Sequence, residues 1–300
     1  MKIAVTGISG FVGPHLRREL ESHGHEVIGV DRNAKETKTR ACDLTNSATV
    51  YETILSEKPN AIIHLAALTS VKDSWDNPKK YLEVNTSMTR NLLDAINKTE
   101  KKTKILITST SDVYGNQNQF PIKELATPHP ENPYATSKLA QEQLVDNFID
   151  IHAVISRSFN HTGPGASDAL VVGTFAKQIV ACEKGIQKEI KVGNLGVSRD
   201  FLDVRDVAQA YRLLIERGKT HEIYNTCSGK PTKISWILDF LLSQSTAKIE
   251  VRQDPDRMRP SDVQQFWGSF EKIKSETGWS PKIPFEQTLI DTLEYWRTRE

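Results

Sequence analysis

Tyr134 and Lys138 are the pair of residues in this sequence that points most directly to chemistry. On a helix that starts near Pro133, a spacing of four residues places both side chains on one face, about 6 Å apart along the axis. A neighbouring ammonium favours the ionised form of a phenol, and a pKa lowered by about three units corresponds to about 4 kcal/mol. Such a phenol can exchange a proton with a carbonyl or alcohol oxygen. An ordinary helix start with a solvated lysine would show the same two residues, so the pair by itself does not establish a catalytic site.

The amino-terminal residues supply the first support. Residues 2–6 read as a buried strand, and a turn containing Gly7, Gly10 and Gly13 leads into an amphipathic helix that ends near residue 23. In this context backbone N–H groups and the helix dipole face an anion. We expect Gly7 to allow the tight turn, Gly10 the approach of a pyrophosphate, and Gly13 close packing of the helix on the sheet. The turn therefore predicts a dinucleotide site, with further cofactor contacts at Ser9, Phe11 and Val12.

A second strand, 26–30, ends at Asp31, about 20 residues beyond the glycines, where a ribose ligand is expected. Its carboxylate can accept hydrogen bonds from both ribose hydroxyls and would repel a 2′-phosphate, which favours NADH weakly. Arg32 could pair with that phosphate and soften the preference. The alternative is that Asp31 and Arg32 belong to a plain polar turn.

The second support is a strand end rich in hydroxyl groups. An apolar run from Ile105 leads into Thr110, Ser111 and Asp112. Ligands of open parallel sheets collect at the carboxyl ends of the strands, so Thr110 could address the same substrate oxygen as Tyr134. We expect Ser111 and Asp112 to line that pocket. Hydroxyls that merely cap a turn are the alternative, which the other two motifs make less favourable.

Composition excludes several classes of function. The 300 residues carry a net charge of +1, so no strong field attracts nucleic acid or an anionic membrane. No apolar run approaches the roughly 18 residues of a membrane-spanning helix, and a strand that begins at residue 2 leaves no room for a signal peptide. The three cysteines lack metal-ligand spacing. We therefore expect a cytoplasmic protein with reduced cysteines and no metal.

Strand-like and helix-like runs alternate through the first half of the chain. The strands are expected at 2–6, 26–30, 61–65, 104–109 and 152–157, and the helices near 11–23, 47–57, 78–98 and 133–149. This alternation predicts an α/β fold of the Rossmann type, a doubly wound parallel sheet.

Beyond about residue 165 the pattern changes to a smaller, mixed α/β substrate-binding lobe, with a helix near 169–184 and a strand near 189–193. The segment 200–227 is expected to return to the large sheet. We predict a dinucleotide-binding domain of 1–165 plus 200–227 and a nucleotide-sugar-binding lobe of 166–199 plus 228–300. The long loop 115–133 is expected to border the sugar pocket.

Together these motifs resemble the extended short-chain dehydrogenase/reductases that act on nucleotide sugars. The shared features are the glycine turn, the run 64–67, the hydroxyl-rich strand end and the Tyr134/Lys138 pair, and they cover essentially the whole chain. More narrowly, the segments 158–165, 191–194, 198–204, 224–229 and 257–260 are similar to those of GDP-4-keto-6-deoxy-D-mannose reductases. The resemblance implies NAD(P)H-dependent reduction of the C4 keto group of GDP-4-keto-6-deoxy-D-mannose to GDP-D-rhamnose. In that reaction Tyr134 donates the proton and Lys138 binds the nicotinamide ribose.

The same resemblance implies further contacts. The expected cofactor contacts are Asp43, Leu44, Leu65, Ala66 and Ala67, and the expected contacts to the GDP-linked keto sugar are Asn160, Lys177, Arg199 and Arg259. A plain turn carboxylate before a helix remains an equal alternative for Asp43. The family also commonly forms homodimers through a four-helix bundle, here from the helices near 85–98 and 134–149, although their apolar positions could equally face the sheet.

Other functions remain open. GDP-mannose 4,6-dehydratases share nearly every motif, but Asp112 stands where they have a glutamate, and the shorter side chain puts the reach of a base in doubt. Other nucleotide-sugar epimerases or reductases, such as a UDP-sugar 4-epimerase, fit the second-lobe motifs less well. A non-catalytic dinucleotide sensor is the remaining alternative, and such proteins commonly lack the tyrosine/lysine pair.

Overall fold

The computed structural model describes residues 1–34, 38–99, 102–257 and 263–299. Its strands are β1 (Lys2–Thr6), β2 (Glu26–Asp31), β3 (Thr39–Ala41), β4 (Ala61–His64), β5 (Lys104–Thr110), β6 (Ala153–Ser158), β7 (Asn160–Thr162), β8 (Glu189–Val192), β9 (Ser198–Asp203), β10 (Ile223–Thr226), β11 (Pro231–Lys233), β12 (Glu250–Gln253) and β13 (Gln265–Phe266). Its helices are α1 (Gly13–Ser22), α2 (Ser47–Glu57), α3 (Val71–Asp76), α4 (Pro78–Asn97), α5 (Pro133–Leu144), α6 (Val171–Glu183), α7 (Val204–Arg217), α8 (Ile234–Ser243), α9 (Glu271–Thr277) and α10 (Phe285–Arg297). Short 3₁₀ turns occupy Ser111–Tyr114, Val145–Asn147 and Pro255–Arg257.

Seven of the strands form one parallel sheet in the order β10-β6-β5-β4-β1-β2-β3. The strands are nearly continuous apolar runs because helices cover both faces of the sheet. One face packs against α1 and α7, and the other against α2, α4 and α5. The predicted doubly wound Rossmann-type fold is therefore confirmed.

The position of β1 within this sheet decides where a ligand can bind. The chain runs outward from β1 through β2 to β3 on one side and through β4, β5 and β6 on the other. A crevice opens at the carboxyl ends of the strands where the strand order reverses in this way. The glycine turn leaves β1 at this crevice, and Thr110 closes β5 two strands away.

The second half of the chain adds a smaller mixed region. Here β9 pairs with β7, β11 and β13, β8 pairs with β12, and α6, α8 and α10 share one apolar core. In contrast, α7 packs on α1, and β10 extends the large sheet beside β6. Within the segment 200–227, α7 and β10 thus join the large sheet, whereas β9 lies in the small one. The domain boundaries stay a prediction.

Two helix ends differ from the expected ones. The helix α1 begins at Gly13 rather than near residue 11, because the preceding residues form the hydrogen-bonded turn. The helix α5 ends at Leu144, and a 3₁₀ turn continues it only to Asn147. All three cysteines are free and buried. Within the described ranges, no helix is long and apolar enough to span a membrane, and no group of histidine, cysteine or carboxylate side chains is arranged to hold a metal ion.

Candidate active site

The turn after β1 is shaped by its glycines. Gly7 has a positive φ of 68°, and a Cβ on it would lie 2.9 Å from the Cα of Ala66. The N–H groups of Gly10 and Gly13 donate to the carbonyl oxygens of Gly7 and Gly10, at 3.0 and 3.2 Å. A Cβ on Gly13 would lie 1.9 Å from the carbonyl oxygen of Ile8, so the close packing expected at Gly13 is with the turn itself.

The helix α1 starts without a side-chain cap, so its first-turn N–H groups are not satisfied by a neighbouring side chain. Phe11 of the turn stacks on His161, with ring centroids 6.0 Å apart, and meets His15 edge to face. The His15 ring is hydrogen-bonded to the carbonyl oxygen of Pro164 at 2.8 Å. Val12 packs against the core beneath α1 and α7. The turn is thereby fixed to the segment that follows β6.

Asp31 ends β2 beside the glycine turn, where the sequence places it. Its carboxylate accepts hydrogen bonds from the backbone N–H groups of Ser9, at 3.2 Å, and Arg32, at 2.7 Å. The two bonds hold the carboxylate at the carboxyl end of β2. The Arg32 side chain is exposed in this structure.

The other residues expected at the cofactor follow neighbouring strands. Leu65, Ala66 and Ala67 come directly after β4, and the N–H groups of Leu65 and Ala66 donate to the backbone oxygen and the hydroxyl of Thr6, each at 3.3 Å. The run therefore lies against the glycine turn.

Asp43 follows β3 and occupies the turn before α2. Its carboxylate accepts hydrogen bonds from the N–H and the hydroxyl of Thr45, at 3.0 and 2.7 Å. The hydroxyl bond lowers the pKa of Asp43 most, followed by the backbone bond. This is the contact expected of a turn carboxylate. Leu44 is buried beside it, and its carbonyl oxygen accepts from the Asn91 side chain.

The helix α5 presents Tyr134 and Lys138 at the end of β5. Asn132 caps this helix by accepting the N–H of Ala135 at 2.8 Å, and Pro133 occupies its first turn. The Thr110 hydroxyl lies close enough to the Tyr134 phenol to affect its pKa. It also accepts the N–H of Asp112 at 3.2 Å. The structure therefore brings Thr110, Tyr134 and Lys138 together, with Asp112 beside them.

The expectation that Lys138 lowers the pKa of Tyr134 toward neutrality is wrong for the protein alone. Burial raises the pKa of Tyr134 above its ordinary value, and the Asp112 carboxylate raises it further. The nearby Thr110 hydroxyl opposes this rise in the pKa of Tyr134. Burial also lowers the pKa of Lys138 to about 8, since the side chain is only 3% exposed. At neutral pH the phenol keeps its proton, which is the form that can donate.

Lys177 and Arg199, which are expected to contact the sugar nucleotide, are hydrogen-bonded within the chain. Lys177 on α6 donates to Asp168 at 2.8 Å and lies over the Trp296 ring. Arg199 on β9 donates to the carbonyl oxygens of Ser198 and Val263, at 2.9 and 2.6 Å.

Three further expected residues complete this set. The exposed Asn160 begins β7, and its amide donates to the carbonyl oxygen of Asp200 at 3.3 Å. Ser111 is buried at the start of the 3₁₀ turn after β5. Arg259 lies outside the described residues.

The sequence reasoning missed a buried ion pair behind the tyrosine and lysine. Glu142 follows Lys138 by four residues on α5 and pairs with Arg157 of β6 at 2.7 Å. The regular spacing of Tyr134, Lys138 and Glu142 was the signal available in the sequence. The spacing could not identify Arg157 as the partner of Glu142, because only the packing of α5 on the sheet brings the two side chains together.

Comparison with known proteins identifies the family. Residues 4–292 match the family model described as GDP-mannose 4,6 dehydratase. The chain belongs to this family. The resemblance to extended short-chain dehydrogenase/reductases and the prediction of an oxidoreductase are thereby confirmed.

Three curated proteins are similar to this chain over most of their length. A GDP-6-deoxy-D-mannose reductase from Pseudomonas aeruginosa is 36% identical, covering 99% of this chain and 98% of that protein. A GDP-6-deoxy-D-talose 4-dehydrogenase from Aggregatibacter actinomycetemcomitans is 33% identical, covering 93% and 92%. A GDP-mannose 4,6 dehydratase from Caenorhabditis elegans is 27% identical, covering 93% and 84%.

Solved structures agree with this assignment. RMD from Pseudomonas aeruginosa complexed with NADPH has a TM-score of 0.90 and 34% identity, covering 100% of both chains. The UDP-glucose 4-epimerase of Thermotoga maritima with UDP-glucose has a TM-score of 0.89 and 27% identity, covering 99% of both chains. Members of the GDP-mannose 4,6 dehydratase family and epimerases thus share this fold, so the fold alone does not select the reaction.

Proposed function

We propose that this protein reduces the C4 keto group of GDP-4-keto-6-deoxy-D-mannose to give GDP-D-rhamnose, with NAD(P)H as the reductant. The observation that carries the proposal is a phenol beside the Thr110 hydroxyl, kept protonated by burial, and one helical turn from a buried lysine. The greater identity to the GDP-6-deoxy-D-mannose reductase than to the C. elegans dehydratase supports reduction over dehydration.

The residues present fit a dinucleotide. Glycine at positions 7 and 13 lets the turn fold tightly, because a Cβ there would meet the backbone of Ala66 and Ile8, and α1 begins without a side-chain cap. Asp31 is held where it can accept hydrogen bonds from a ribose, and Lys138 would hold the nicotinamide ribose. The bound nicotinamide supplies the hydride that is added to C4. Ser9, Phe11, Val12 and the run 65–67 complete the proposed cofactor contacts.

Tyr134, supported by Thr110, is the proposed proton donor. Tyr134 holds its proton at neutral pH and gives it to the oxygen that becomes the C4 hydroxyl. The Thr110 hydroxyl lies beside the Tyr134 phenol and can donate to the same substrate oxygen. Two donors placed in advance stabilise the negative charge that develops on this oxygen in the transition state. We propose that Asn160, Lys177, Arg199 and Arg259 hold the GDP portion.

A GDP-mannose 4,6-dehydratase is the second candidate. Dehydration requires a base that removes the C5 proton, and Asp112 lies close enough to Tyr134 to raise its pKa. Asp112 could therefore be that base, although its side chain is one methylene shorter than the glutamate of the dehydratases. The two reactions differ in stoichiometry, because reduction consumes one NAD(P)H for each sugar whereas dehydration leaves the amount of cofactor unchanged.

We expect stoichiometric oxidation of NAD(P)H when the protein is incubated with freshly prepared GDP-4-keto-6-deoxy-D-mannose. Absorbance measures the cofactor consumed, and NMR identifies the configuration at C4 of the product. GDP-mannose with catalytic NAD(P) should give no 4-keto product, and Asp112→Asn should keep a substantial part of the reductase rate. Loss of water from GDP-mannose at an ordinary enzymatic rate, abolished by Asp112→Asn, would establish the dehydratase instead.

Asp31 provides a test of cofactor choice. Because its carboxylate repels a 2′-phosphate, we expect NADH to be used at least as well as NADPH. Asp31→Ala should weaken NADH binding and improve NADPH binding. Dissociation constants for both cofactors measure the preference. A strong NADPH preference that Asp31→Ala leaves unchanged would show that Asp31 does not contact the ribose.

We also propose a homodimer formed by α4 and α5 of each subunit, and a cytoplasmic location. The two helices pack closely on each other, and exposed Leu82 on α4 and Trp75 on α3 lie outside the core. Sedimentation of the protein gives its mass in solution. A monomer at micromolar concentration would contradict the dimer.

A further inference from the structure

Glu142 is a buried carboxylate that the proposed chemistry does not use. It is 4% exposed and lies on α5 one helical turn beyond Lys138. Its oxygens accept hydrogen bonds from Nε of Arg157 at 3.1 and 3.2 Å and from a terminal nitrogen of Arg157 at 2.7 Å. The Ser109 hydroxyl on β5 also donates to it. The carboxylate is thus fixed by two strands of the sheet behind the active site.

Arg157 is held as firmly as its partner. Its guanidinium lies over the Tyr114 ring, 4.7 Å from the centroid, and donates to the carbonyl oxygen of Glu124 in the long loop. Both side chains of the pair are 4% exposed. Removing one member of a buried pair leaves an uncompensated charge. The bonds to Arg157 and Ser109 fix the geometry of Glu142.

Lys138 adds a second cation to this buried region. With Arg157 and Glu142 it makes a group of two positive charges and one negative charge, within a part of the protein that excludes water. Burying an ammonium is costly unless an anion compensates it. Burial lowers the pKa of Lys138, and Glu142 opposes that lowering. Glu142 is thus hydrogen-bonded to Arg157 and lies one helical turn from Lys138.

The surroundings of Lys138 contain few other ionisable groups. His64 on β4 is neutral, since burial and, to a lesser extent, the Lys138 charge lower its pKa to about 3. The ionisable groups that face Lys138 and its neighbour Tyr134 from the packed elements are Tyr81, Asp112, Tyr134, Glu142, Arg157, Tyr211 and His64. Among them Asp112 acts on the phenol, and Glu142 acts directly on the ammonium.

We infer that Glu142 is a positioning residue of this active site, which keeps Lys138 charged, and that Arg157 limits how much of that stabilisation Lys138 receives. The inference rests on the proposed function, because it assumes that charged Lys138 holds the cofactor. It predicts opposite effects from the two members of one ion pair. Removing the carboxylate should make Lys138 lose its proton at lower pH, and removing the guanidinium should make it keep its proton to higher pH.

The experiment measures the dissociation constant of NAD(P)H against pH by quenching of protein fluorescence, and kcat/KM for the keto sugar over the same range. Glu142→Gln should move the alkaline loss of cofactor binding to lower pH by about one unit, the usual effect of a nearby opposite charge. Arg157→Gln should move it to higher pH. Glu142→Asp should restore most of the wild-type profile.

Glu19→Gln is the matched control, because Glu19 pairs with Arg212 at 2.8 Å on the opposite face of the sheet. It should leave the pH profile unchanged.

If Glu142→Gln does not fold, the double variant Glu142→Gln/Arg157→Gln removes both buried charges and should still shift the pH profile of cofactor binding to lower pH. Shifts in the same direction for Glu142→Gln and Arg157→Gln, or lost stability without a shift, would overturn the inference. If the pH profile of cofactor binding shifts as expected but the keto sugar is not turned over, the proposed reaction is contradicted while the inference about Glu142 stands.

Discussion

Tyr134→Phe should lower turnover of the keto sugar by about 10²–10⁴-fold, the usual contribution of a positioned acid. Burial keeps the phenol protonated beside the Thr110 hydroxyl, so phenylalanine removes the donor while the ring still fills the same space. Steady-state kinetics with NAD(P)H should show the loss in kcat. Binding of GDP, measured by calorimetry, should change little, because the phenol addresses the sugar oxygen rather than the nucleotide.

Tyr224→Phe is the control for this prediction. Its hydroxyl is hydrogen-bonded to Glu276 and to the N–H of Lys219, and β10 lies two strands from β5 in the sheet. We expect turnover within a few-fold of wild type, even if the variant is less stable. Near-normal activity of Tyr134→Phe would remove the central element of the proposed mechanism, whatever the control shows.

Lys138→Met should weaken NAD(P)H binding by about tenfold to hundredfold, since hydrogen bonds to a charged group contribute about 1.5–3 kcal/mol. Methionine keeps the length of the buried stem, and Glu142 remains paired with Arg157, so we expect the variant to fold.

The same substitution has a signature in the pH profile. The pKa of Lys138 is about 8, so wild-type cofactor binding should be complete below this pH and fall as pH rises through it. A methionine cannot titrate, and the weaker binding of the variant should persist to higher pH. Fluorescence titrations with NAD(P)H from neutral to alkaline pH measure both effects. An unchanged alkaline fall in Lys138→Met would assign that titration to another group.

The sequence alone determined the parts of this protein that depend on local patterns. The apolar strands, the alternation with helices and the glycine turn each follow from residues within a short stretch of chain, and the large sheet has the expected strands. The requirement for glycine at Gly7 and Gly13 is visible in the motif, because a Cβ at either position would meet backbone. The Tyr134/Lys138 spacing also follows directly from the geometry of a helix.

Only the tertiary structure decided the electrostatics of the site. The spacing of Tyr134 and Lys138 suggested a phenol with a lowered pKa, but desolvation is a property of the surrounding fold, and it raises the pKa of Tyr134 and lowers that of Lys138. The compensating Glu142 meets Arg157 through the contact of α5 with β6, fifteen residues further along the chain. Such charges act through space, and only the folded chain sets their distances and their exclusion from water.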